Sequence, residues 1–384
     1  MTGLERTRAA MRGHAADRVP VFPILIAPAC RLVGVKQRDY NLDPHVMAET
    51  LLEARELCGF DGIYVSRDNW IYHEALGGTL DFPEDDESFT RTPLLADLPG
   101  WRSISVPDPE NAPGMRTVLE AARQVVAAAG DRFYVQANID TGPFSLAAVL
   151  RGAEAFLVDL VTADEGELRG LLELCTDIVI AYGKAMIATG VHGIQFGDAT
   201  ASLVSPADFQ RFVVPYQRRA LEALAEAAGA AGAAGRAGAA AARAAARAAG
   251  AGEAAGAATP RGTAPGVGAE PACDLWIHIC GRTDHVLPLM RGLPFQGFEV
   301  DAKVPLREAR RLLGDAISLK GNLDTTFLLR QSAEQVRLES VRILREGPPS
   351  GVVFSPGCGV PRMTPLENLR AMVQAAEDHA GKMR

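Results

Sequence analysis

A histidine and two cysteines carry the most specific chemistry in this sequence. His278 and Cys280 lie in the apolar run Trp276–Gly281, and Cys358 follows a second apolar run, in the turn Pro356–Gly359. Residues i and i+2 of an extended strand point to the same face, so the imidazole and the first thiol can reach one point. One nitrogen and two thiolates match a catalytic zinc that keeps its fourth position open. The spacing alone is equally compatible with two buried cysteines and a structural histidine.

The elements that must position these residues alternate between strand and helix along the chain. Such alternation produces a parallel sheet, and eight strand–helix units predict a single (β/α)8 TIM-type barrel. No Gly-x-Gly-x-x-Gly pattern follows the first strand, which weakens the dinucleotide-binding alternative. The predicted strands are Val19–Ile26, Gly62–Ser66, Phe133–Ile139, Gly193–Gly197, Leu275–Ile279, Gly297–Val300, Ile317–Gly321 and Gly351–Phe354.

In a barrel of this kind, catalytic groups lie directly after the strands, at the carboxyl-terminal rim. Two aspartates occupy such positions, Asp68 after the second strand and Asp198 after the fourth, and both are candidate catalytic residues. Together with Glu299, they are also candidates to hydrogen-bond His278 or to act as a transient fourth ligand of the metal. The other polar residues predicted at the rim are Cys280, Asp301, Asn322 and Cys358.

The composition excludes several classes of function. The 384 residues carry a formal net charge of −8, and no basic cluster marks a nucleic-acid surface. No charged-then-apolar leader opens the chain, and no apolar run of about 18 residues predicts a membrane span. Six cysteines in so long a chain do not form a disulfide framework, and they fit a reducing compartment. We therefore expect a cytoplasmic protein with no nucleic-acid or membrane partner.

One segment breaks the alternation of strand and helix. Residues 227–270 consist almost entirely of Ala and Gly, with scattered arginines and prolines and no stripe of large apolar side chains. Such a composition provides no face that could pack against the barrel. We expect a largely disordered surface insertion before the fifth strand, and the alternative is a lid or a docking segment.

Several longer motifs resemble the uroporphyrinogen decarboxylase superfamily. These motifs are Gly297–Asp301, Leu306–Ala309, Ser318–Asp324, Pro356–Pro361 and Thr364–Leu369. The resemblance extends over most of the chain, roughly from Leu4 to Met372, with the exception of the Ala/Gly-rich segment. It implies the same (β/α)8 barrel that the alternating elements predict.

This superfamily divides into branches according to the active site. True uroporphyrinogen decarboxylases carry an arginine-rich loop after the first strand that holds the substrate's carboxylates, whereas the stretch Ala27–Leu32 offers only Arg31. The aspartate of the decarboxylases is matched by Asp68. The other branch comprises methylcobamide:thiol methyltransferases, and its zinc site of His-x-Cys plus a distant Cys is matched by the three candidate ligands.

The resemblance therefore implies a zinc-dependent methyltransferase that moves a methyl group from a methylated corrinoid to a thiol such as coenzyme M. No corrinoid-binding Asp-x-His-x-x-Gly pattern occurs in the sequence, so we expect the methylcobamide donor on a separate corrinoid protein. Two alternatives remain open. One is a carboxy-lyase that acts on a tetrapyrrole or a smaller acid, with Asp68 as its best residue; the other is a non-catalytic corrinoid- or zinc-binding relative.

Overall fold

A curled parallel β-sheet forms the centre of the protein, whose computed structural model describes residues 1–248 and 272–381. The seven strands lie side by side in chain order, and every neighbouring pair is parallel. This arrangement follows from the alternating pattern, because parallel neighbours need a crossover connection between them. The strands are β1 Gly62–Val65, β2 Tyr134–Thr141, β3 Gly193–Gly197, β4 Asp274–Ile279, β5 Gly297–Val300, β6 Ser318–Leu323 and β7 Val352–Pro356.

Helices precede and connect the strands, and several begin at the caps that the sequence indicates. The α4 helix starts after Asp43, whose carboxylate accepts a hydrogen bond from the backbone N–H of His45 at 2.8 Å. None of the helices in the described ranges is long and apolar enough to cross a lipid bilayer. The helices are α1 Gly3–Met11, α2 Ala27–Val33, α3 Gln37–Leu42, α4 Pro44–Cys58, α5 Ile71–Ala75, α6 Pro113–Ala129, α7 Pro143–Arg151, α8 Ala153–Thr162, α9 Glu165–Ala188, α10 Pro206–Phe212, α11 Val214–Ala248, α12 Leu306–Leu313, α13 Thr325–Arg330, α14 Ala333–Glu346 and α15 Leu366–Gly381.

The first predicted strand, Val19–Ile26, is not a regular strand. It forms one isolated parallel bridge, between Val21 and Phe354 of β7. On its other side, the backbone N–H of Asp61 donates to the carbonyl oxygen of Val21 at 2.8 Å. The segment therefore touches both edges of the sheet, which gives seven strands in place of eight and a curl consistent with a TIM-type barrel.

Two prolines and a buried charge network explain why this segment is irregular. Pro20 and Pro23 have no N–H to donate, so the segment cannot form the ladder of a full strand. Its position is instead fixed by the carboxylate of Asp61, which accepts from the N–H of Val21 at 2.7 Å and from the guanidinium of Arg18 at 2.6 Å.

The Ala/Gly-rich segment is helical as far as the structure describes it. The α11 helix continues to Ala248, and Ala228 is buried, with Ala227 and Ala231 packed against the hydrophobic core. Alanine has the highest helix propensity of all residues, which favours this conformation. The predicted disorder is therefore not confirmed for residues 227–248, and residues 249–270 of that prediction lie outside the described residues.

Candidate metal centre

His278 and Cys280 stand at the carboxyl end of β4. His278 is the penultimate residue of the strand, and the sheet register places it between Gly197 of β3 and Glu299 of β5. Because residues two positions apart share a face of the strand, Cys280 points to the same side. The Nε2 atom of His278 lies 3.0 Å from the Sγ atom of Cys280.

Cys358 reaches the same point from the turn after β7. Gly357 makes this approach possible, because a Cβ atom on it would lie only 2.4 Å from the backbone nitrogen of Ala302. The Sγ atoms of Cys280 and Cys358 are 3.8 Å apart, and both thiols are free. The possible ligand atoms of His278, Cys280 and Cys358 all lie within 4.8 Å of one another.

The imidazole of His278 is oriented by the neighbouring strand. Its Nδ1 atom lies 3.1 Å from the carbonyl oxygen of Glu299, so Nδ1–H donates to that oxygen and Nε2 is the nitrogen available to a metal. Nε2 faces the two thiols. Metal-binding histidines commonly have this arrangement, because a hydrogen bond to the far ring nitrogen fixes both the tautomer and the ring orientation.

The three side chains also shift one another's pKa values. The Cys280 thiol donates to the sulfur of Cys358 and so lowers the pKa of Cys358, while the same contact raises the pKa of Cys280. Burial lowers the pKa of His278, but the Cys358 thiolate and Glu299 together outweigh burial and raise that pKa to about 8. The state favoured at neutral pH is a Cys358 thiolate beside a His278 imidazolium, and a soft metal ion that binds both would release the proton on Nε2.

Asp198 lies behind the cluster of His278, Cys280 and Cys358, and its carboxylate faces two helices. The carboxylate accepts from the N–H of Ser145 at 2.7 Å and from the side-chain amide of Gln217 at 2.9 Å. Full burial raises the pKa of Asp198. Its backbone N–H donates to the carbonyl oxygen of His278 at 2.7 Å. Asp198 thus supports β4 through its main chain and is not among the clustered ligand atoms.

Asp68 follows β1, and its carboxylate anchors the loop that contains Ser88. It accepts from the backbone N–H of Ser88 at 2.5 Å, from the Ser88 hydroxyl at 2.8 Å and from the side-chain amide of Asn41 at 2.5 Å. Burial raises its pKa, and these hydrogen bonds oppose the shift. Like Asp198, it is outside the cluster of three ligand atoms.

Asp301 and Asn322, the other polar residues predicted at the rim, hold backbone turns. Asp301 accepts from the N–H groups of Gly281 at 2.8 Å and Lys303 at 2.9 Å. The side-chain amide of Asn322 donates to the carbonyl oxygen of Val304 at 2.6 Å. These bonds fix the turns that follow β4 and β5 beside the three candidate ligands.

Two polar residues beneath His278, Lys320 and Gln136, were not found by the sequence reasoning, which named only their partner Glu299. Lys320 of β6 donates to Glu299 at 3.0 Å and to Gln136 of β2 at 2.8 Å, and all three side chains are buried. The available signal was a lysine and a glutamine in the middle of short strands that are buried along most of their length. A buried polar residue is rare enough in such strands to mark a special environment.

Comparison with known proteins places the chain in a family. The family described as Uroporphyrinogen decarboxylase (URO-D) matches residues 2–379. The chain belongs to the uroporphyrinogen decarboxylase family. Within this family, the chain is 24% identical to a methylated-thiol–coenzyme M methyltransferase of Methanosarcina mazei, over 98% of this chain and 90% of that protein.

Two further relatives of this URO-D family member are similar over nearly their whole length. The methylcobamide:CoM methyltransferase MtbA of Methanosarcina acetivorans is 30% identical, and the match covers 98% of each chain. A solved structure titled as a methyltransferase from Methanosarcina mazei superposes with a TM-score of 0.79, at 22% identity, over 98% of this chain and 99% of the other. At that identity, the structural similarity establishes the shared fold.

Proposed function

We propose that this URO-D family member is a zinc-dependent methyltransferase that moves a methyl group from a methylated corrinoid to a thiol. The observation that carries the proposal is the meeting of one imidazole nitrogen and two thiol sulfurs within 4.8 Å. Two thiolates and one imidazole form a donor set that favours zinc over the harder cations. His278, Cys280 and Cys358 are the residues that would hold the metal.

The proposed substrates are inferred from the names of the relatives. Proteins named methylcobamide:CoM methyltransferase and methylated-thiol–coenzyme M methyltransferase match over nearly the whole chain. By analogy, the acceptor is a small thiol such as coenzyme M, and the donor is a methylcobamide carried by a separate corrinoid protein. The proposal also takes the curled sheet as a (β/α)8-type barrel in which Val19–Ile26 fills the place of a first strand. A reducing cytoplasm suits the six free cysteines.

Each residue of the centre has a defined task in this proposal. Zinc, when bound, lowers the pKa of a substrate thiol so that the thiol reacts as a thiolate at neutral pH. Cys280 and Cys358 provide two negative charges, and the Glu299 carbonyl oxygen keeps Nε2 of His278 directed toward them. Asp198 supports β4 through its backbone, and Asp68 holds the Ser88 loop at the rim. Both aspartates thereby hold the backbone around the centre, and the proposal needs no proton transfer from either.

The decarboxylase alternative has less support from the site. A catalytic carboxylate must face the substrate, whereas both oxygens of Asp68 accept hydrogen bonds from Ser88 or Asn41. Arg31, the one arginine of the loop that would bind substrate carboxylates, donates instead to the carbonyl oxygens of Arg362 and Thr364. No specific contact in the site favours a tetrapyrrole.

The test combines metal content with methyl transfer. Purified protein should contain one zinc per chain, and Cys280→Ala and Cys358→Ala should each lose most of it. Cys58→Ala is the matched control, because Cys58 is a buried cysteine at the end of α4 and is not one of the three candidate ligands. The wild-type protein and the control should transfer methyl groups from methylcobalamin to coenzyme M or another thiol, and the two ligand variants should not. Full zinc retention in the ligand variants would refute the metal assignment, and release of carbon dioxide from a tetrapyrrole would favour the decarboxylase.

A further inference from the structure

A buried ion pair lies directly beneath the metal centre. The Nζ atom of Lys320 is 3.0 Å from Oε1 of Glu299, and the two side chains are 1% and 4% exposed. Gln136 completes the group, since its amide nitrogen donates to the same Oε1 atom at 3.1 Å and its oxygen accepts from Lys320 at 2.8 Å. One oxygen of the Glu299 carboxylate therefore receives both donors.

The other oxygen of this carboxylate is directed toward the histidine. Oε2 of Glu299 is buried and has no hydrogen-bond partner. It lies 3.9 Å from Nδ1 of His278, the same atom that contacts the carbonyl oxygen of Glu299 at 3.1 Å. An unpaired anionic oxygen in the protein interior is unfavourable unless a nearby positive charge or donor offsets it.

The stability of the fold does not by itself require the buried ion pair of Lys320 and Glu299. Buried ion pairs can often be replaced by apolar residues of similar size without loss of stability, so their presence needs another reason. The environment of Lys320 is otherwise apolar and aromatic, with its Nζ atom 4.2 Å from the ring centre of Phe22 and 5.1 Å from that of Tyr64. Because cation–π contacts and two acceptors hold the ammonium in one place, it can act as a fixed anchor for Glu299.

We propose that Lys320 is a positioning residue of the metal centre and acts through Glu299. Lys320 and Gln136 hold Oε1, and this leaves Oε2 facing the Nδ1–H edge of His278. A carboxylate at that edge makes the imidazole a stronger metal ligand, because it stabilises the positive charge that the ring acquires on coordination. The inference rests on the proposed zinc site and adds two side chains that tune its affinity.

Zinc affinity measured by competition with a chromophoric chelator tests the inference without any assay of activity. Glu299→Gln keeps the shape and removes the charge, and it should raise the zinc dissociation constant about 10–100-fold. Lys320→Met should raise it about 10-fold, because the carboxylate loses its anchor. In the double variant the effects should not add, and its affinity should equal that of Glu299→Gln. The visible bands of the Co²⁺-substituted proteins should shift in the same variants.

The double variant and one surface variant distinguish an effect on the position of the zinc ligand from an effect on the stability of the fold. A lone Lys320→Met change leaves a buried unpaired carboxylate and lowers the melting temperature, whereas the neutral pair of the double variant should recover much of that loss. Glu308→Gln is the matched control, because Glu308 pairs with Arg311 on the exposed surface of α12.

Four results would overturn the inference, and the last of them identifies failure of the metal site itself. Wild-type zinc affinity in Glu299→Gln would show that the carboxylate does not tune the ligand. Recovery of wild-type affinity in the double variant would show that the pair serves folding alone, and unchanged affinity in Lys320→Met would remove the lysine from the centre. A wild-type protein that binds no zinc would overturn the proposed function together with this inference.

Discussion

Asp140, at the carboxyl end of β2, should make the protein less stable as the pH rises. Its side chain is 5% exposed, and the backbone N–H of Tyr72 donates to it at 3.3 Å. Burial raises the pKa of Asp140 to about 6, from an ordinary value of 3.8. A carboxyl group whose folded-state pKa is raised favours folding at low pH, and its contribution is lost as the pH rises through the folded-state value.

The size of this effect follows from the two pKa values. The difference between 3.8 and about 6 corresponds to about 3 kcal/mol of unfolding free energy. The contribution is complete below about pH 4 and absent above about pH 7, and about 1.4 kcal/mol of it is lost between about pH 5 and about pH 8. Asp140→Asn cannot ionise, so its stability relative to the wild type should rise by that amount over the same interval. Asparagine also tolerates the left-handed backbone of this position, where φ is 65°.

The assay is chemical denaturation of both proteins at the two pH values. Asp324→Asn serves as the control, because it makes the same chemical change at the exposed N-cap of α13, where asparagine caps as well as aspartate. The pH dependence of the control is subtracted from that of Asp140→Asn. A difference between Asp140→Asn and the wild type that stays constant from about pH 5 to about pH 8 would refute the reasoning, since it would show that Asp140 is ionised at both.

Three further predictions concern the rim, the first segment and the metal. Gly142→Ala should lower the unfolding free energy by about 1–3 kcal/mol, because the new Cβ would lie 2.8 Å from the Asp198 carboxylate. Gly229→Ala on α11 is the control, since its new Cβ would have no atom of another element within 4 Å. It should be neutral or slightly stabilising in the same denaturation assay. Asp61→Asn should destabilise by about 1–3 kcal/mol, since Arg18 loses its carboxylate partner and Arg6 keeps only Asp17, and calorimetry against the wild type measures the loss. Removal of zinc with a chelator should lower the melting temperature, and re-addition at about 1,000 times the dissociation constant should restore about 4 kcal/mol; an unchanged melting curve would contradict a metal-stabilised centre.

The position of Asp198 shows that a place at the end of a strand does not fix where the side chain points. The sequence places Asp198 directly after a barrel strand, where catalytic groups are common. The structure directs its carboxylate to Ser145 and Gln217, and only its backbone N–H touches the residue that matters, His278. The direction of a side chain at a strand end depends on the helices packed around it, and those contacts cannot be read from local sequence.

Local periodicity determined much of this protein. The strand–helix alternation predicted a parallel sheet, and seven of the predicted strands correspond to β1–β7. The i, i+2 spacing predicted that His278 and Cys280 share a face, because that relation is a property of any extended strand. The same reasoning predicted a regular strand at Val19–Ile26 from its apolar residues. The structure has only an isolated bridge there, because two prolines prevent regular pairing.

Only the tertiary structure decided which distant residues meet. Cys358 reaches Cys280 because β7 and β4 belong to one curled sheet and Gly357 allows close packing. Lys320 and Glu299 form a pair because the register of neighbouring strands sets them side by side in the sheet. Sequence patterns report the conformation of a segment and the face on which each side chain lies. Contacts between segments depend on register and curl, which the packing of the whole sheet determines.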